Sequence, residues 1–85
     1  MFQHHQNFKT SFQKLPESVK KTTFEYLETL IREPYHPLLQ HRKLKGAFDA
    51  WNTISLPSSH LIIFQYLGGK IILQDIGLTA RFFRH

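Results

Sequence analysis

The chain has 85 residues, no cysteine, and 11 Lys and Arg against 6 Asp and Glu, a net charge of +5 with 6 His in reserve. Disulfide staples and thiolate metal sites are excluded, and so is a helical membrane span, because no stretch approaches the roughly 20 apolar residues needed. The length allows one domain, residues 1–85, that hides only about 60% of its unfolded surface and has little room for a deep pocket.

The hydrophobic fraction of 41%, with eight Phe, three Tyr and one Trp, suits a globular domain and not a disordered one. Met1 to Phe12 lacks the apolar centre of a signal peptide, so a cytoplasmic protein is expected. The basic surplus favours phosphate backbones or an acidic protein partner.

Phe2, His4, Gln6 and Phe8 alternate weakly, which permits a short edge strand. Asn7 is the expected N-cap of a short helix whose Phe8, Phe12 and Leu15 fall at i, i+4 and i+7. Pro16 ends that helix and opens the next, with Glu17 placed to suit the helix dipole. Val19, Thr23, Tyr26, Leu27 and Leu30 make its apolar stripe, widened by Phe24 and Ile31, and Pro34 stops it near Glu33. The two helices predict a helical hairpin.

Pro34-Tyr35-His36-Pro37 reads as a stiff loop, followed by the cationic run His41-Arg42-Lys43-Leu44-Lys45-Gly46. From Ala47 to Leu56 the pattern is strand-like around Phe48, Trp51, Ile54 and Leu56, and Pro57-Ser58-Ser59 is a turn. Leu61 to Leu67 predicts a central strand buried on both faces. Gly68-Gly69 is a two-residue hairpin signal, and Lys70 to Ile76 returns antiparallel, with Gly77 as its end. The expected fold is therefore α+β: an N-terminal helical hairpin packed on a small, mainly antiparallel sheet of three to four strands.

Phe12-x-x-Leu15-Pro16, Pro34 to Pro37, Lys43-Leu44-Lys45-Gly46, Trp51, Leu61-Ile62-Ile63-Phe64 and Asp75-Ile76-Gly77 follow one another in a recognisable order. In that order the chain, from about Phe8 to Phe83, resembles the RelE/ParE superfamily of bacterial type II toxin–antitoxin toxins. It looks nearest to the YafQ-like mRNA interferase branch. The resemblance implies a microbial-ribonuclease-like fold, a cytoplasmic toxin neutralised by a cognate antitoxin, and cleavage of mRNA in the ribosomal A site. The chain departs from the family pattern at several points. Leu61 stands where an Arg is usual, Asn52 and Ile54 where basic residues are usual, Thr79 where many relatives carry His, and Phe83 where Tyr is frequent. These departures also fit a ParE-like inhibitor of DNA gyrase, or a decayed toxin that keeps only antitoxin binding.

Metal-free RNA cleavage needs a base for the 2′-OH, cations for the phosphorane-like charge, and an acid for the leaving 5′-oxygen. His60, at the start of the central strand, is the candidate base or acid; the plain alternative is a turn histidine without a role. Arg81 is placed to hold the scissile phosphate. His85 is a candidate substitute for the imidazole missing at Thr79. His41, Arg42, Lys43 and Lys45 are expected to meet RNA phosphates without choosing sequence, and Phe83 to stack on a base or fill the core edge. Trp51 is read as core, and Gly46 as backbone geometry. No cofactor is expected, and no metal: adjacent His4 and His5 would point to opposite faces of a strand, and His36 and His41 lack supporting carboxylates.

Overall fold

A computed structural model describes residues 2–44 and 51–82. Among these described residues, nine elements run in chain order: β1 (Phe2–His4), α1 (Gln6–Gln13), α2 (Glu17–Arg32), a 3-10 turn (Pro37–Leu39), β2 (Arg42–Lys43), β3 (Trp51–Ser55), β4 (His60–Leu67), β5 (Lys70–Leu78) and α3 (Thr79–Phe82). The fold is α+β, with the expected helical hairpin packed on a sheet. The sheet has five strands, in the order β1-β5-β4-β3-β2. It exceeds the expected three to four because both edge strands are only two or three residues long and carry little sequence signal. All neighbours are antiparallel except β1 and β5, which run parallel with Phe2 opposite Ile71.

His5, and not Asn7, caps α1: its Nδ1 accepts the Asn7 backbone N–H at 3.1 Å. The β1 pairing explains the shift, because His5 N–H still donates to the Leu73 carbonyl and keeps His5 extended. In α2, Val19, Thr23, Leu27 and Leu30 are buried. The Thr23 hydroxyl donates to the Val19 carbonyl at 2.8 Å, which satisfies a polar group that has no access to water. Phe24 and Ile31, expected in the stripe, lie outside the core, and Phe24 is 62% exposed.

Register sorts the sheet into two faces. Asn52 pairs with Phe64, Ile54 with Ile62, and Ile62 with Ile76. Directly paired residues share a face and alternate residues share it along a strand. Ile54, Leu56, Ile62, Phe64, Ile71, Leu73 and Ile76 accordingly form one core with Phe8, Leu27, Leu30 and Leu39. Each such side chain contributes about 1.5–3 kcal/mol by leaving water. The opposite face carries Trp51, Thr53, Ser55, Leu61, Ile63 and Gly77, and its centre is buried too, at Thr53, Leu61 and Ile63. The continuous apolar run of β4 is thus explained by burial on both sides. Trp51 is half-buried on this second face and not in the main core.

The register slips at Ile63/Phe64, where Ile63 pairs with Asp75 and Phe64 with Leu73. Gln74 is the extra residue, and the bulge keeps both Leu73 and Ile76 on the core face. The β4–β5 hairpin turns at Gly68 and Gly69 with φ of 56° and 78°, the left-handed pair that this turn needs and glycine supplies at low cost. Strand β5 does not stop at Gly77 but runs through it to Leu78. No described helix is long and apolar enough to cross a membrane.

Candidate nucleic-acid interface

The second face of the sheet holds a cleft of about 400 Å³ bounded by Gln40, Arg42, Lys43, Leu44, Thr53, Ser55, Leu61 and Thr79. Its floor follows from alternation in β3. With Ile54 pointing into the core, Thr53 and Ser55 must point the other way, and Leu61, paired with Ser55, lies beside them. One wall is β2. The cationic run expected as a loop is in part a strand there, with Arg42 opposite Thr53 and Lys43 opposite Asn52. The other wall is the start of α3. Thr79 donates from its backbone N–H and its hydroxyl to one acceptor, the Ser59 carbonyl, at 2.9 and 3.0 Å. That double contact ties the β5–α3 junction to the β3–β4 turn and fixes the cleft's corner.

Arg81 flanks this face from the β5 side. Its Nη2 donates to Asp75 Oδ2 at 2.8 Å, and the guanidinium sits 4.5 Å from the Phe82 ring centroid. Asp75 Oδ1 in turn accepts from the Ser11 hydroxyl and the Ile76 N–H, both at 2.8 Å. Gly77 makes the arrangement possible, since a Cβ there would stand 2.8 Å from Arg81 Cζ. Arg42 and Asp75 lie in one row across four strands through Thr53 and Ile63. At the usual strand spacing their backbones are about 14 Å apart, so two guanidinium groups stand on either side of a neutral floor.

His60 falls elsewhere. It pairs with Leu78 and shares the face of Ile62, so the sheet separates it from Arg42 and from the cleft. Its Nδ1 lies 3.0 Å from the Ser58 carbonyl and 2.9 Å from the Ser58 hydroxyl. Because a carbonyl can only accept, Nδ1 is the donor in that contact. His60, the candidate base or acid, therefore does not share the open face that carries the cleft. His41 is also displaced from its expected role. It is half-buried, its Nδ1 donates to the Pro34 carbonyl at 2.7 Å, and its Nε2 is 3.1 Å from Asn52 Oδ1. With both ring nitrogens engaged inside the protein, it is a post and not a phosphate ligand. Arg42 and Lys43 keep exposed side chains. Lys45, Gly46, Phe83 and His85 lie outside the described residues.

The described cleft residues can therefore bind an anion, but they bring no imidazole or carboxylate to it for proton transfer. Among the described residues no three His, Asp or Glu side chains gather as metal ligands. Sequence reasoning missed Gln40, Thr53 and Ser55; strict alternation outward from Ile54 is the signal that finds the last two.

A second concavity of about 590 Å³ lies between β1, α1 and α2, lined mainly by Phe2, Phe8, Phe12, Phe24, Leu27, Ile31 and Leu73, with His4, Lys9, Gln13 and Glu28 around them. The Phe8 and Phe12 rings stack at 5.7 Å and Phe24 meets Phe12 edge-on at 5.4 Å. This apolar groove is where the misplaced Phe24 and Ile31 belong. Near the opposite edge, burial and then the neighbouring Tyr35 raise the Tyr66 hydroxyl above its ordinary range.

No family model matches the chain, and no curated protein matches it in sequence. Solved structures do match. The toxin in the DinJ-YafQ toxin-antitoxin complex of E. coli superposes with a TM-score of 0.77 at 14% identity, covering 98% of this chain and 96% of that one. The intact E. coli RelBE toxin-antitoxin complex matches with a TM-score of 0.74 at 17% identity, over 93% and 95%. A YoeB/ParE toxin from Agrobacterium tumefaciens matches with a TM-score of 0.77 at 11% identity, over 91% and 95%. The chain has the RelE-like fold over nearly its whole length.

Proposed function

We propose that this chain is the toxin of a type II toxin–antitoxin pair, of the YafQ-like branch of the RelE/ParE superfamily, and that it acts on mRNA at the ribosome. The observation that carries this reading is a RelE-like fold with a cationic cleft on the sheet face away from α2. Arg42 meets phosphates on one side of the cleft, with Lys43 at the β2 edge beside it, and Arg81 on the other side, which gives affinity without sequence choice. If the bound RNA is cut, the 2′-oxygen attacks phosphorus, the 5′-oxygen leaves, and one group must take and another return a proton. His85 is the proposed proton-transfer group and Phe83 the base-stacking one. The apolar groove beside Phe24 is the proposed seat of the antitoxin, as an amphipathic segment laid into a groove.

The test is inducible expression in a bacterium, with transcript ends mapped before and after induction. Growth arrest with cuts that require translating ribosomes is expected. Arrest with translated mRNA left uncut refutes the endonuclease.

The lack of an imidazole or carboxylate among the described cleft residues favours a second reading, binding without cleavage. That covers a gyrase-inhibiting toxin or a decayed toxin that retains antitoxin binding. Inhibition of supercoiling by purified protein supports the gyrase form. An inert phenotype with tight binding of the neighbouring gene's product supports the decayed one.

A further inference from the structure

Tyr35 is the most exposed large hydrophobic side chain described, at 79%, yet its ring is stacked on a neighbour. It lies parallel on the His41 imidazole, with centroids 4.7 Å apart and planes 6° from coplanar. His41 is held by the Pro34 carbonyl and Asn52. Behind it stand Phe64 at 5.3 Å and Tyr66 at 6.3 Å. Phe64 has no solvent exposure at all, so the column runs from the core outward through His41 to Tyr35. Pro34 and Pro37 bracket the segment and limit its backbone freedom. An aromatic ring this exposed gains little from burial. The column instead orders its outer face in advance, and pre-ordering lowers the entropic cost of binding a flat ligand there.

The surroundings select the ligand. Arg42 and Lys43 follow His41 directly, both are exposed, and neither makes an ion pair with another described residue. Alternation in β2 divides them between the sheet faces: Arg42 lies with Thr53 at the cleft, and Lys43 lies opposite Asn52, the residue that holds His41. The β2 edge thus carries cations from the cleft round to the aromatic column. An apolar protein segment has a better seat in the groove at Phe24.

We propose that Tyr35, braced by His41, is a stacking platform for an unpaired nucleobase of single-stranded RNA whose backbone crosses the β2 edge on Arg42 and Lys43. The Tyr35 platform lies outside the cleft, on the far side of the shared β2 edge. It extends the RNA reading of the function and rests on it. Stacking on one ring tolerates any base, and phosphate contacts add affinity that falls with salt.

The experiment uses the full chain and a single-stranded RNA of about eight nucleotides, end-labelled for anisotropy and carrying 2-aminopurine, whose fluorescence is quenched on stacking. Tyr35→Ala is expected to weaken binding about 5- to 150-fold and to abolish the quench, while Tyr35→Phe retains both. Far-UV circular dichroism confirms that both variants fold. If Tyr35→Ala binds and quenches like the parent while Arg42→Ala weakens binding, the platform is refuted and the RNA reading stands. If the parent binds no RNA, both are refuted. If polyglutamate binds as tightly as RNA and no quench occurs, the edge is a plain anion surface and the platform is refuted.

Discussion

Gly77→Ala probes how the C-terminal helix is held. The added methyl would lie 2.8 Å from Arg81 Cζ and Nη2 and 3.0 Å from Nε. Carbon contacts settle near 3.5–4.0 Å, so the guanidinium must retreat by about 1 Å and loosen its bond to Asp75. The two side chains of that pair are 50% and 23% exposed, which after solvent screening makes the pair worth about 0.5–1 kcal/mol. Gly77 has no positive φ, so alanine fits its backbone and returns about 0.5–1 kcal/mol by restricting the unfolded chain. The two effects nearly cancel, and Gly77→Ala alone is expected to stay within about 0.5 kcal/mol of the parent. In an Arg81→Ala background the clash is gone, and the same change is expected to stabilise by about 0.5–1 kcal/mol. For a domain of this length that is a rise of about 2–8 °C in Tm. Urea melts of the four proteins, followed by the fluorescence of the single Trp51, give the coupling energy. Equal effects of Gly77→Ala in both backgrounds would refute the packing of Arg81 across this glycine.

The raised pKa of Tyr66 means that the folded state holds its proton longer than the unfolded state does. That contribution is complete below the ordinary phenol value of 10.0 and is lost as pH rises through the folded pKa; Tyr66→Phe should therefore flatten the alkaline fall in stability seen in melts across this range. Asn52→Leu leaves His41 Nε2 without its partner at 3.1 Å, and a cost of about 1–3 kcal/mol is expected by denaturant melts. Phe24→Asp with Ile31→Asp puts charge in the apolar groove at two exposed positions. Co-purification with the neighbouring gene's product should be lost while Tm stays within a few degrees, and retention of the complex would exclude this groove as the seat. His60→Ala should leave growth arrest intact, because the sheet separates His60 from the cleft; loss of arrest in a folded variant would restore it as a site residue.

The long periodic segments were legible in the sequence because each is governed by one dominant force. Helix α2 follows its 3.6-residue stripe between Pro16 and Pro34, and β4 its unbroken apolar run. The Gly68-Gly69 turn was legible because its left-handed φ values admit few other residues. The edge strands were less legible: β2 is two residues inside a cationic run with no strand pattern, and β1, which weak alternation only permitted, is held by a partner far away in sequence. For the candidate site, the sequence singled out Arg42 and Lys43 from charge and Arg81 from its spacing past Gly77, and the structure places the first two at the cleft and Arg81 beside Asp75. His60 was misplaced because the face of a side chain depends on register, and a one-residue change of register inverts it; His41 was misplaced because its ring turns inward to Pro34 and Asn52. Phe24 was placed in the core because hydropathy alone does not distinguish a buried stripe from a groove wall.

The parallel strand β1 has a kinetic consequence. Its partner, Ile71 to Leu73, lies almost the whole described chain away, whereas the β4–β5 hairpin closes through two glycines. Local closure is fast and distant closure slow, so β1 is expected to be placed after the β4–β5 hairpin has closed. Contacts made that late are absent from the folding transition state. Weakening β1, for example by Phe2→Ala, is therefore expected to hasten unfolding while leaving the refolding rate nearly unchanged. The N-terminal strand acts as a clasp that sets how long the finished sheet lasts and not how quickly it forms.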